Sequence, residues 1–215
     1  MTSLKRTPSG SSVGIPDRFA PGDAVTPREL TTIRSERIRV PAPDGLTHLQ
    51  FRRFAGCPVC NLHVRSLMLR RAGIEAAGVR EVLVFHSTAE LLREHTADFP
   101  FPVIADPGKL LYAEFGVGAS PRALLDPRAW LPMLRGMLCS SVAVARRLER
   151  SPSVNPAGGR TGLPADFLIA PDGTIVARRY GRHVFDQWSV DEILALSEGG
   201  QTYGRSAGTS PNSGR

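Results

Sequence analysis

Apolar and polar positions alternate through Ile33-Arg34-Ser35-Glu36-Arg37-Ile38-Arg39-Val40 and again from Leu46 to Phe54, where Leu49 and Phe51 share one face and His48, Gln50 and Arg52 the other. A period of two is that of a strand. The first stretch, with Leu30 before it, reads as a short hairpin or a pair of edge strands, closed by the turn residues Pro41, Pro43 and Asp44-Gly45. The period then lengthens. Val64, Leu67, Met68 and Ile74 recur at helical spacing, with Arg65, Arg70 and Arg71 off the stripe. Pro58 suits the first turn of that helix, because its fixed φ is helical and its missing N–H would lack a partner there anyway, and Gly78 is placed to cap its end. Val79 to Ser87, with the run Val82-Leu83-Val84-Phe85, reads as a buried strand, and Thr88 to His95 as the next helix. Strand and helix alternating with short links make a parallel βαβ unit.

Farther on, Pro100, Pro102 and Asp106-Pro107-Gly108 bracket a short strand at Val103-Ile104, and Lys109 to Phe115 forms a helix ended by Gly116. Ala165–Ala170, the Pro171-Asp172-Gly173 turn and Thr174–Tyr180 form an antiparallel hairpin, and Val190 to Leu196 a closing helix. Between these lies a segment of different character, about 119–160. Asp126-Pro127 has the form of an N-cap and a first-turn proline, and Trp130, Leu134, Met137, Leu138, Val142 and Leu148 follow as an irregular helical stripe that Pro132 should kink or restart. This is an inserted helical segment whose apolar stripe is expected to be core, with Ser151–Arg160 as a polar loop. Residues 1–22 and 201–215 are rich in Ser, Gly and Pro and read as disordered tails. One domain, residues 23–200, remains.

Composition narrows the function. The chain has 215 residues, a formal charge of +7 and a pI of about 10.1, with basic residues spread along its length. That charge implies weak attraction to polyanions, but no zinc-finger spacing or aromatic-interleaved basic patch accompanies it, so no specific nucleic-acid partner is expected. No run reaches the ~18 apolar residues of a membrane span, and Lys5 and Arg6 have no apolar block behind them. The expectation is a cytoplasmic protein with no membrane partner.

Three cysteines, Cys57, Cys60 and Cys139, do not make a disulfide framework. A Cys-x-x-Cys at a strand-to-helix junction reads instead as a redox motif. The thiolate is the nucleophile, and at the start of a helix the dipole and unpaired N–H groups stabilise it. Arg52 and Arg53 add to that field if either points at the sulfur. Cys57 is therefore the nucleophile and Cys60, one turn later, the resolving thiol. Cys57, Cys60 and His63 also offer three metal ligands, but a structural zinc takes four. No metal or other cofactor is expected. His63 and His86 are candidates for proton transfer, though boundary histidines of this kind are more often simply satisfied side chains. Cys139, on an apolar stripe, reads first as a small buried residue and second as a distal resolving thiol.

Leu49-Gln50-Phe51-Arg52-Arg53-Phe54-Ala55-Gly56-Cys57-Pro58-Val59-Cys60-Asn61-Leu62-His63 resembles the active-site signature of peroxiredoxin-like proteins of the AhpC/TSA group, in the variety that carries a Cys-x-x-Cys. Val84–Ser87, Phe99–Pro107 with Leu111–Val117, and Leu163–Gly173 resemble later stretches of the same family in the same order. The resemblance implies an α/β, thioredoxin-like fold: a central mixed sheet flanked by helices, with the helical insertion before the final β-hairpin. It also implies that Pro164 is a cis-proline opposite the cysteines, so that Cys57, Cys60, Pro164 and Arg53 make up the site. The implied activity is that of a thiol oxidoreductase acting on a peroxide or a disulfide, restored by an external thiol reductant, with a homodimer allowed. The chain departs from the pattern in two places. Phe54 stands where peroxiredoxins carry Thr or Ser, and Pro164 where they carry an arginine, so Arg52, Arg53 or Arg178 would have to take the arginine's place. Phe51 likewise replaces the buried Asp of thioredoxins. A redox sensor that binds a partner is the alternative function, and a metal-binding protein a more distant one.

Overall fold

The computed structural model describes residues 18–120, 127–145, 159 and 161–207. The alternating segments pair as strands. β1 (Arg28–Thr31) and β2 (Arg37–Val40) form an antiparallel ribbon in which Leu30 faces Ile38. The five-stranded sheet has the order β5-β4-β3-β6-β7. At its centre β3 (Leu46–Phe51) runs parallel to β4 (Val79–Phe85), which is parallel to β5 (Val103–Ala105). On the other side β3 is antiparallel to β6 (Ala165–Ile169), and β6 to β7 (Ile175–Tyr180). The helices are α1 (Pro58–Leu69), α2 (Arg71–Ala76), α3 (Ala89–His95), α4 (Leu110–Glu114), α5 (Pro127–Ala145) and α6 (Val190–Ala207). This is the thioredoxin-like α/β arrangement with a mixed sheet between helical layers.

Every residue of β3 is buried, so both of its faces are core. One face carries Leu49 and Phe51, packed with Val82, Val84, Tyr112, Phe115 and Phe167. The rings of Tyr112, Phe115 and Phe167 lie 5.0, 5.1 and 5.8 Å from Phe51. Phe51 therefore serves as the hub of an aromatic core. The other face of the sheet lies under α1, α2 and α6, whose Val64, Leu67, Ile74 and Ile193 pack with Leu46, Leu83, Phe85 and Leu168.

Several boundaries differ from the expected ones. The helix after Pro58 breaks at Arg70, where φ −111° and ψ 13° leave the helical region, so Ile74 belongs to α2. α5 runs unbroken through Pro132. α6 extends to Ala207, and residues 18–22 are held to the fold: the Phe19 ring is 5.1 Å from Phe115, and the Gly22 N–H donates to the Ile175 carbonyl at 2.9 Å. Residues 1–17 and 208–215, Asp126, Leu148 and most of the Ser151–Arg160 loop lie outside the described residues.

The insertion has a clear base. Ala119 and Gly162 pair across it, with Ser120 N–H donating to Thr161 carbonyl at 2.8 Å. α5 then packs on α1. Its inward contacts are Met133 and Gly136, and a Cβ on Gly136 would stand 3.1 Å from the Pro58 carbonyl oxygen. The rest of the stripe corrects the expectation of a core helix: Trp130, Leu134, Met137, Leu138 and Val142 are all more than half exposed, as is Leu131. α5 is apolar nearly all round, and α1 covers only one side of it. Gly136→Leu is expected to push α5 off the first turn of α1, costing about 1–3 kcal/mol as overpacking does. A lower thermal midpoint together with faster alkylation of Cys57 would register the loss.

Candidate active site

The last residues of β3 deliver the chain to α1. Arg52 N–H donates to Val84 carbonyl at 2.8 Å, and His86 N–H to Arg53 carbonyl at 3.2 Å, so the pairing with β4 continues past Phe51. A tight turn follows, closed by Cys57 N–H on Phe54 carbonyl at 3.2 Å and passing through Gly56 at φ +73°. That conformation favours glycine because a Cβ would clash with the backbone. The Ser87 hydroxyl accepts from Ala55 N–H at 3.0 Å and ties the turn to the end of β4. Cys57 is the N-cap of α1 with Pro58 at the first helical position, and its carbonyl takes the first helical bond from Asn61 N–H at 2.9 Å.

Cys57 and Cys60 are both free thiols, 1% and 3% exposed. Arg53 Nη1 lies 3.7 Å from Cys57 Sγ, and the guanidinium rests 5.3 Å over the Phe54 ring. Phe54, which takes the place of the usual hydroxyl residue, thus supplies a face on which the arginine is held. Burial alone would raise the Cys57 pKa. A hydrogen bond from the Cys60 thiol, the Arg53 charge and the N–H groups of Cys60 and Val59 more than offset that and lower it to about 6. Burial and the neighbouring Cys57 push the Cys60 thiol well above its ordinary value. The arrangement stabilises one thiolate and keeps its partner protonated, as sequential attack requires. Alkylation of Cys57 by iodoacetamide should therefore rise with a midpoint near pH 6, while Cys60 stays unreactive at neutral pH. In Arg53→Gln the midpoint should move up toward the ordinary thiol value of about 8.5, which lowers the pH 7 rate about tenfold or more.

Of the three arginines considered, the structure brings only Arg53 to the sulfur. Arg178 is exposed and stacks 5.3 Å from the Tyr180 ring; in register with Phe167, it is on the face of the sheet away from α1. Arg52 is fully buried and turns under α1. Its Nη2 lies 2.7 Å from Asp166 Oδ1 and 3.0 Å from His63 Nε2, and its guanidinium also bonds the Gln50 side chain. Gln50 donates to Glu81, whose Oε2 is 2.8 Å from His48 Nδ1. Asp166 Oδ2 accepts from Trp188 N–H at 3.1 Å. Six polar side chains thus form a closed buried cluster beneath the cysteine-bearing helix.

The charges of this cluster are mutually held. Burial disfavours protonated His48, but Glu81 and Asp166 outweigh it and raise the His48 pKa to about 9. Burial likewise disfavours the Asp166 anion, and Arg52 and His48 outweigh it, keeping the carboxyl well below the usual range. His63 is the reverse: burial, then the Arg52 charge, hold it well below its ordinary value. Its ring, engaged by Arg52, is a member of this cluster. Among the described residues no group of three or more His, Cys, Asp or Glu is placed to hold a metal ion.

Pro164 requires a correction. The cis peptide among the described residues is Val40–Pro41, and Leu163–Pro164 is trans. Pro164 packs against Gly181, whose N–H donates to the Pro164 carbonyl at 2.9 Å. The nearby segment that does reach the site is Gly162, where a Cβ would lie 3.0 Å from His86 Nε2 and 3.9 Å from Arg53 Cγ. His86 is buried with its ring 5.7 Å from Tyr112. Cys139 is exposed on α5, not buried.

Sequence reasoning missed Tyr112, Asp166 and Glu81. Tyr112 places its hydroxyl 3.0 Å from Val84 carbonyl and against Arg52 carbonyl, bracing the end of β3, while Asp106 accepts from the N–H groups of Leu110, Leu111 and Tyr112 and holds that helix in place. One signal was available: three polar residues at alternate positions of a central strand need buried partners.

The fold is shared with solved structures. Peroxidoxin BcpB of Mycobacterium tuberculosis superposes with a TM-score of 0.58 at 15% identity, over 83% of this chain and 96% of that one. A mutant of peroxiredoxin 6 of Arenicola marina gives 0.62 at 13%, over 92% and 80%. A peroxiredoxin-like protein from Aquifex aeolicus gives 0.57 at 14%, over 86% and 90%. No curated protein sequence matches the chain. The family model described as AhpC/TSA antioxidant enzyme matches residues 66–183, beginning within α1 just past the cysteine pair. With more than half of its length matched, and folded as these proteins are, the chain belongs to the AhpC/TSA antioxidant enzyme family.

Proposed function

We propose that the protein is a thiol peroxidase in which Cys57 and Cys60 cycle between dithiol and disulfide. The observation that carries this reading is the Arg53 guanidinium 3.7 Å from the sulfur of Cys57, at the start of α1. The Cys57 thiolate attacks one oxygen of a hydroperoxide; the S–O bond forms as the O–O bond breaks, and the leaving alkoxide takes a proton and departs as an alcohol. Cys57 is then a sulfenic acid. The Cys60 sulfur attacks it, the disulfide forms, and the hydroxyl leaves with the Cys60 proton as water. An external dithiol reduces the disulfide and is itself oxidised.

Burial supports a small oxidant. With Cys57 1% exposed, a hydroperoxide reaches the sulfur far more readily than the disulfide of a folded protein does. Arg53 is positioned to stabilise the negative charge that develops on the peroxide oxygens. Dimedone labelling tests this in Cys60→Ser: one equivalent of peroxide should yield a labelled Cys57. Failure to label, together with the recovery of protein mixed disulfides at Cys57, would assign the chain to disulfide exchange instead.

A further inference from the structure

Parts of the inserted segment stand against the cysteine site on two sides. On one side α5 crosses the first turn of α1 so closely that a Cβ on Gly136 would stand 3.1 Å from the Pro58 carbonyl oxygen and 3.4 Å from the Val59 nitrogen. On the other, residues 161–163 lie over the arginine that faces the thiolate: a Cβ on Gly162 would be 3.0 Å from His86 Nε2 and 3.9 Å from Arg53 Cγ. The backbone edge of 161–163 is already paired. Ser120 N–H donates to Thr161 carbonyl at 2.8 Å and Leu163 N–H to Gly118 carbonyl at 3.2 Å, around the Ala119–Gly162 bridge. Gly162 is buried while Gly118 and Ala119 are exposed, so the outer strand of the pair faces solvent as a strap. Met133 of α5 and Leu163 both pack on Val184, which joins the two covers into one.

We propose that this strap selects the reductant: a low-molecular-weight dithiol reduces the Cys57–Cys60 disulfide, and folded protein dithiols are excluded. The inference rests on the peroxidase reading, in which that disulfide must be reduced in every cycle. Reduction passes through a mixed disulfide. A reductant thiolate attacks one sulfur of the pair, the new S–S bond forms as the old one breaks, and a cysteine thiolate leaves. The second reductant thiol then displaces the other cysteine, so the dithiol departs as its disulfide, having given up two electrons and two protons. One proton goes to Cys60 and the other to water, since Cys57 stays ionised near neutral pH. The mixed disulfide is where size selects. Cysteines joined by a disulfide have Cα atoms about 4.4–6.8 Å apart, so a protein reductant must bring its main chain that close to Cys57 or Cys60. α5 on Pro58 and the strap on Arg53 stand in the way of such an approach, and the two cysteines are 1% and 3% exposed. An extended peptide also gains affinity by pairing with a free backbone edge, and here Thr161 and Leu163 are already bonded to Ser120 and Gly118. A small dithiol needs room only for its sulfur and the carbon that carries it.

Disulfide-reduction rates of the full chain test this in a Cys139→Ser background, which removes the exposed thiol of α5. The Cys57–Cys60 disulfide is formed with diamide, so the measurement does not depend on peroxide turnover. Dithiothreitol and thioredoxin are then compared at equal thiolate concentration, by alkylation and mass spectrometry. Dithiothreitol is expected to be faster by about tenfold or more, the scale on which two backbone hydrogen bonds hold a strap closed. Ser120→Pro deletes the N–H that binds Thr161. It should raise the thioredoxin rate about fivefold and change the dithiothreitol rate less than about twofold, while Ser120→Ala, which keeps the N–H, should match the parent. Thioredoxin at least as fast as dithiothreitol would overturn the proposal, as would a folded Ser120→Pro in which both rates rise together or neither does. If Ser120→Pro fails to fold, the comparison in the parent decides the question. Failure of dimedone labelling in Cys60→Ser, with these rates as expected, would strike the peroxidase reading alone, and a cysteine pair that diamide cannot close would overturn both.

Discussion

Cys57→Ser should lose peroxide consumption altogether, by a factor of at least about 10³, the scale seen when a nucleophile is removed. The surroundings at this position, the hydrogen bond from the Cys60 thiol, the Arg53 charge and the N–H groups of Cys60 and Val59 together, are enough to ionise a thiol near neutral pH. They are far from enough for a serine hydroxyl, so the variant keeps the geometry and loses the reactive species. Cys60→Ser should behave differently. Its first equivalent of peroxide reacts at Cys57, and the cycle then stalls at the sulfenic acid for want of a resolving thiol. A burst of one equivalent without turnover, measured by rapid mixing with tryptophan emission or ferrous-oxidation readout, distinguishes the roles of the two cysteines. Wild-type rates in Cys57→Ser would refute the assignment.

Asp166→Ala should cause the largest loss of stability. The carboxylate lies at 2.7 Å from Arg52 and 3.4 Å from His48 Nε2, with none of the three side chains exposed. Removing it leaves two buried cations facing one another, with Glu81 as the remaining anion. Breaking a buried pair in this way typically costs about 3–5 kcal/mol, and in a domain of this size each kcal/mol lowers the melting temperature by roughly 2–4 °C. A drop of about 6–20 °C is expected. Arg52→Met with Asp166→Leu should recover part of it, since an apolar pair removes both desolvation costs together.

The cluster also gives stability a pH window. His48 has its folded pKa raised to about 9, above the ordinary ~6.5; its contribution is complete below about 6.5 and is lost as pH rises through 9. The Asp166 pKa is depressed, so its contribution is complete above the ordinary carboxylate value of ~3.9 and is lost only as pH falls through its lowered value. Melting temperatures should therefore be highest between about pH 4 and 6.5 as far as these two groups are concerned, and the alkaline decline should be shallower in Asp166→Ala, where Glu81 still favours the protonated His48 but Asp166 no longer does.

The fate of the two adjacent arginines shows how far local pattern carries. Alternation assigns Arg52 to the same face as His48 and Gln50, and Arg53 to the next position, where the strand gives way to a turn. It does not say which of them meets the sulfur. Arg52 is claimed by Asp166, 114 positions away, because β6 pairs with β3 and sets its carboxylate opposite Gln50. Arg53 is left to fold back over Phe54 and reach Cys57. Pro164 shows the opposite failure: a resemblance in sequence carried over a cis peptide, while in this chain Gly181 packs against a trans proline and Gly162 is the residue that approaches His86.

What the amino-acid sequence determined by itself was the order of strands and helices, the parallel βαβ unit and the placing of Cys57 at a helix start. These follow from periods of two and of 3.6 residues and from the backbone preferences of Gly and Pro, all of which act within a few residues. Only the tertiary structure decided that a polar strand face would be sealed beneath α1, that Arg53 rather than Arg52 would lie against the thiol, and that the apolar stripe of α5 would face outward. Each of these depends on which element covers which surface. An apolar or charged side chain carries the same label whether it is buried in a core or left on the surface, and contacts between elements far apart in the chain settle which of the two occurs.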